Sequence, residues 1–85
     1  MRQTTTASLV NSDTFQMRLV VYPGELYRLA QAGQRVRVTD GQAWMSVENQ
    51  DVLLAAREAV QLPVSSEMAL VSALGAQTLV LEVLN

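Results

Sequence analysis

From Phe15 to Leu84 turn signals cut the chain into short runs of alternating apolar and polar residues, and this feature limits its folding more than any other. "FQMRLVV" (15–21) sets Phe15, Met17, Leu19 and Val21 on one side and Gln16 and Arg18 on the other, the period-2 pattern of a half-buried strand. Pro23-Gly24 then breaks the run. "RVRVTDGQAWMSV" is two such runs about Asp40-Gly41, a pair that favours a tight hairpin. "AVQLPV", "EMALVSAL" and "QTLVLEVL" follow, divided by Pro63, Ser65-Ser66 and Gly75. Strands this short, with a turn signal about every 8 to 12 residues, predict an all-β sandwich or small barrel of antiparallel strands.

Two segments stay open on this reading. In "ELYRLAQAGQ" Leu26, Leu29 and Ala30 also fit a helical face that Gly33 could stop, and in "QDVLLAAREA" Asp51 could cap a short helix. Helices of about two to three turns are too short for propensity alone to decide. A faint echo at an offset of 24 relates Val36, Val38, Trp44 and Val47 to Val60, Leu62, Met68 and Val71, and predicts two stacked hairpin units.

A length of 85 residues is one domain, and 49% hydrophobic against 16% charged residues is enough to fill one core. Residues 1–13, rich in Thr, Ser and Asn, are expected to form a flexible tail, and residues 14–85 the β domain. There is no Cys, which removes thiol catalysis, thiolate zinc and disulfides. There is no His, which removes the commonest general base and metal ligand. The net charge is -2, with six Arg and no Lys spread singly along the chain, so neither nucleic acid nor an anionic membrane is an expected partner. No apolar run has the length of a signal peptide's core or of a membrane span, and a cytoplasmic protein is expected.

Trp44 is the only tryptophan. A two-residue Asp40-Gly41 loop would set Arg37 opposite Trp44, with Val36, Val38, Ala43, Met45 and Val47 on one face. Trp44 would then share the other face with Arg35, Arg37, Ser46 and Glu48. A three-residue loop would instead bring Arg35 beside the apolar set, so the first register is preferred. The candidate ligand-binding residues are therefore Trp44, Arg35, Arg37 and Glu48, suited to a small anionic or sugar-like ligand. A guanidinium over the indole would contribute roughly 0.5 to 1 kcal/mol. The competing account has Trp44 packed beneath a partner sheet or subunit.

Glu48 and Asp51, with Asp40 nearby, read as solvated loop carboxylates, because calcium needs more oxygens in a defined loop. Ser46, Ser65, Ser66 and Ser72 have no His to activate them, so no catalytic residue is expected. Arg57-Glu58 reads as a turn with a weak surface ion pair. The two C-terminal runs are apolar on both sides: Leu79, Leu81 and Val83 against Val80 and Leu84 around Glu82, and Met68, Leu70 and Leu74 against Ala69, Val71 and Ala73. A monomer this small cannot hide both faces, so a homodimer, or docking on another protein, through these strands is predicted.

"LLAAREAVQLPVSSEM" resembles the second half of a cupin core, L-x-x-G-[DE]-x-[VY]-x-[IVL]-P-x-G-x-x-H. Leu53 or Leu54, Glu58, Val60, Leu62 and Pro63 keep their places. Arg57 stands at the first Gly, Ser65 at the second and Met68 at the metal-binding His. Counting back from Gly41, which resembles the glycine closing the first cupin motif, sets Arg28, Ala30 and Gln34 roughly at the other ligand positions. Gly24-Glu25 with Leu29, then Gly41-Gln42-Ala43-Trp44-Met45-Ser46, then Asp51, then Leu54 with Glu58 resemble a narrower group, small bacterial cupin-like proteins of unknown function with a G-x-[VA]-W-[VLM]-[TS] motif. The resemblance implies strands in both open segments, a small cupin-like barrel or roll, no metal and no cofactor. The expectation is a non-catalytic binding or assembly module. The alternative is a small-molecule sensor that uses the barrel cavity or the Trp44 face.

Overall fold

Among the described residues the alternating runs fold into eight strands. The computed structural model describes residues 15–84, and the expected tail at 1–13 lies outside them. The strands are β1 (Phe15–Val21), β2 (Leu26–Ala32), β3 (Arg35–Asp40), β4 (Ala43–Val47), β5 (Gln50–Leu54), β6 (Ala59–Gln61), β7 (Val64–Ala73) and β8 (Leu79–Leu84). Both open segments are strands, β2 and β5, as the cupin resemblance implies. Ser65-Ser66 divides nothing and lies inside β7. Among the described residues no helix is long and apolar enough to cross a membrane.

Two antiparallel four-stranded sheets face each other, a small cupin-like all-β fold. We call them sheet A, in the order β1-β8-β3-β6, and sheet B, in the order β2-β7-β4-β5. The inner faces meet in a core of Val36, Val38, Ala43, Met45, Leu62, Ala69, Val71, Leu79 and Leu81, all nearly inaccessible to water. Each large side chain among them contributes roughly 1.5 to 3 kcal/mol by leaving water.

The expected hairpin at Asp40-Gly41 does not form. Asp40 pairs with Val80 of β8, while Ala43 pairs with Leu54 and Ala73, so β3 and β4 lie in opposite sheets. Gly41 carries the chain across with φ +79, a conformation costly for any residue with a Cβ. It also lies so close to β8 that a Cβ there would sit 2.6 Å from the Thr78 carbonyl oxygen. Leu74 N–H donates to the Gln42 carbonyl at 2.9 Å and ties down the same crossing.

The tight hairpin is instead at Glu48-Asn49 between β4 and β5, where Val47 faces Gln50. Both loop residues have positive φ, 50 and 64, as a type I′ turn requires. The offset-24 echo is real in space but is not two hairpins. Val36 of β3 pairs directly with Val60 of β6, and β4 pairs with β7, so each unit spans both sheets and every strand lies against its counterpart.

Candidate functional site

β8 lies between β1 and β3 in sheet A, and alternation turns Glu82 outward while Leu81 and Val83 point into the core. The register sets Arg18 of β1 and Arg37 of β3 on either side of it. Arg37 Nη2 donates to Glu82 Oε1 at 2.8 Å, and Arg18 Nη2 to Oε2 at 3.2 Å. With these side chains over it, Glu82 is only 7% exposed although it is on an outer face. The Arg37 hydrogen bond is the main reason its carboxyl is held below the usual range; burial opposes this, and the Arg18 bond and both positive charges reinforce it. At neutral pH Glu82 is thus an ionised brace for Arg37 and a poor proton acceptor.

The loop after β5 continues beside β3. Arg57 N–H donates to the Val38 carbonyl at 2.7 Å, and Val38 N–H donates to the Glu58 carbonyl at 2.9 Å. Arg57 and Glu58 thus both lie opposite Val38, a bulge just beyond the Arg37–Ala59 pair, with Arg57 in its positive-φ position. A recess of about 470 Å³ results, lined by Arg37, Val38, Thr39, Arg57 and Glu82. Thr39 Oγ1 donates to the Val80 carbonyl at 3.2 Å. No salt bridge or side-chain hydrogen bond engages the Arg57 guanidinium among the described residues. The recess therefore holds one guanidinium fixed by a carboxylate and one with its donors open, an arrangement that fits a phosphate or carboxylate.

Arg57 has φ 76. The cupin pattern has glycine at this place, and an L-residue there costs roughly 1 to 2 kcal/mol. The turn keeps its shape nonetheless, and the strain is borne by the residue that supplies the open guanidinium.

Of the four expected ligand residues, Arg35 and Arg37 share this face, because Val36 and Val38 between them point inward. Trp44 does not join them. It lies half-buried on the outer face of sheet B, between Ser72 and Leu53, so Arg37 cannot stack on it. Glu48 is an exposed residue of the β4–β5 turn. The expected Arg57-Glu58 ion pair is absent among the described residues, and Glu58 Oε1 instead accepts from Ala55 N–H at 2.8 Å. Arg18, Thr39, Arg57 and Glu82 were not legible as a group from the sequence. The available signals were an arginine at a glycine position and a single acid inside an apolar strand.

The positions counted back to the cupin metal ligands do not converge inside the barrel. Ala30 pairs with Met68 and Arg28 with Leu70 on the outer face of sheet B. Gln34 braces a turn, its Oε1 accepting from Ala32 N–H at 2.7 Å and its Nε2 donating to the Ala30 carbonyl at 2.6 Å. Among the described residues no group of three or more acidic, His or Cys side chains could hold a metal ion.

No protein-family model matches the chain, and no curated protein matches it. A solved structure is similar: a provisionally named sugar phosphate isomerase from Acidithiobacillus ferrooxidans, with a TM-score of 0.62 and 26% identity. The match covers 78% of this chain and 45% of that one, so the likeness spans less than half of the isomerase's length. It supports the cupin-like all-β fold. It also corrects the expectation of a non-enzymatic module, since a protein sharing this fold bears an enzyme's name. The lack of His and Cys excludes their chemistry and leaves enzymes built on other side chains.

Proposed function

We propose that this domain binds a phosphorylated sugar in the sheet A recess, with Arg37 and Arg57 holding the phosphate and Thr39 beside the sugar. The observation that carries this is Arg57, an open guanidinium held at a strained φ of 76 next to an arginine already fixed by Glu82. The sugar phosphate isomerase name of the structural neighbour supplies the substrate class. A planar guanidinium pair matches the tetrahedral oxygens of a phosphate, and each charge-assisted hydrogen bond contributes about 1.5 to 3 kcal/mol.

Titration with ribose 5-phosphate, ribose and inorganic phosphate, followed by amide chemical shifts, tests it. Ribose 5-phosphate is expected to bind most tightly and ribose weakest, with the largest shifts at Arg37, Thr39 and Arg57. Arg57→Gln should weaken ribose 5-phosphate binding by about 10- to 100-fold, as loss of one or two such bonds implies. Equal affinity for ribose and ribose 5-phosphate, or an unchanged R57Q, would refute the assignment. Sugar resonances in the same samples report any conversion of ribose 5-phosphate to its ketose.

A further inference from the structure

The outer face of sheet B is of a different kind. Its rows run across all four strands: Leu26, Ser72, Trp44 and Leu53 in one, then Arg28, Leu70, Ser46 and Asp51 in the next, with Ala30 and Met68 beyond. Leu26, Leu53 and Met68 are 54%, 62% and 48% exposed, and Trp44 and Leu70 are half-buried between them. The two charges are at opposite edges of a single row, Arg28 on β2 and Asp51 on β5. Both are exposed, and neither has a salt bridge among the described residues.

We propose that a second copy of this chain covers this face through an isologous two-fold contact, with Arg28 of each copy over the partner's Asp51. A two-fold axis lying between the facing sheets and running nearly along the strands, between β7 and β4, keeps each row over itself and exchanges its ends. Leu26 then meets the partner's Leu53, Trp44 meets the partner's Ser72, and two opposite-charge pairs close the rims. An axis across the strands, through the Arg28 row, would instead stack Arg28 on Arg28 and Asp51 on Asp51. The charge pattern thus selects one symmetry, and sheets packed face to face accept it with their usual inclination of about 30°.

The area is sufficient. Four strands about 4.8 Å apart and about seven residues long make roughly 450 Å² of flat surface per copy. Side-chain relief raises the roughly 900 Å² of the pair past the ~1,000 Å² that a specific interface needs. The contact leaves the Arg37–Arg57 recess open, because sheet A is on the other side of the core.

Analytical ultracentrifugation of the full chain from about 1 to 100 µM tests the contact, a range that spans typical affinities for interfaces of this size. A dimer is expected. Arg28→Glu and Asp51→Arg should each weaken it by about tenfold or more, and the double exchange should restore it to within about threefold, since like charges directly opposed are repulsive and the exchange re-pairs them. Circular dichroism confirms that each variant is folded, and Leu53→Glu, at an exposed position, serves as a second disruptive variant if one charge variant does not fold. A monomer at 100 µM, or a dimer untouched by R28E, D51R and L53E, would overturn the proposal. Failure of the double exchange to rescue would do the same.

Discussion

Gly41 offers a sharp quantitative test of the crossing between sheets, because Gly75 provides its internal control. The two glycines have nearly the same backbone, φ +79 and +83. An added Cβ at Gly75 meets nothing within 4 Å, so Gly75→Ala should cost only the left-handed penalty of roughly 1 to 2 kcal/mol, less the gain from a stiffer unfolded chain. At Gly41 the same Cβ lies 2.6 Å from the Thr78 oxygen and 3.2 Å from Leu79 Cα. An ordinary carbon–oxygen contact is about 3.3 Å, and the colliding atoms are backbone at the start of β8, which cannot swing aside as a side chain would. Forcing such an overlap costs about 1 to 3 kcal/mol more, which brings Gly41→Ala to roughly 2 to 4 kcal/mol. For a domain this small that excess over Gly75→Ala is a fall in Tm of about 10 °C, within a factor of two. Thermal and urea unfolding, followed by far-UV circular dichroism, measure both variants. Equal losses would show that Gly41 is needed only for its φ, and the close approach of the crossing to β8 would then be wrong.

Two further outcomes follow from the sheet A site. Glu82→Gln should cost about 1 to 2 kcal/mol at pH 7, a modest figure because both arginines keep contact with water. The folded state holds the Glu82 carboxyl more acidic than the unfolded chain does, so its contribution is complete above the unfolded carboxylate's range and fades as pH falls through the folded value. Urea midpoints of wild type and E82Q should therefore draw together as the pH falls; a gap that does not narrow with falling pH would refute the ion-pair account. Arg57→Gly should raise stability by about 0.5 to 1 kcal/mol by relieving the positive φ while weakening ribose 5-phosphate binding as R57Q does. An R57G variant that is less stable, or that binds ribose 5-phosphate as before, would contradict the role given to that strain.

Period-2 alternation sorted individual residues well. Val36, Val38, Ala43, Met45 and Val47 all point inward as expected, and Trp44, Arg35 and Arg37 all point outward. Alternation reports a face, however, and carries no information about which sheet that face belongs to. Because β3 and β4 separate at Gly41, the outward residues of one run ended on the opposite side of the molecule from those of the next. The ion-pair centre was hidden for a related reason. Glu82 meets Arg18 across 64 residues of chain and Arg37 across 45, and only the strand order β1-β8-β3 brings the three together. Arginines that look scattered along the sequence, Arg18, Arg35, Arg37 and Arg57, gather on one side of a protein whose net charge is negative.

Every connection except that between β4 and β5 passes from one sheet to the other. Neither layer can assemble ahead of the other, since successive strands belong alternately to both, and among the described residues the β4–β5 ribbon is the only neighbouring pair available as an early local nucleus. Loop closure must then precede most of the stabilising contacts, so refolding should take milliseconds to seconds rather than microseconds. The woven chain path makes the domain slow to form and gives it no half that can come loose by itself.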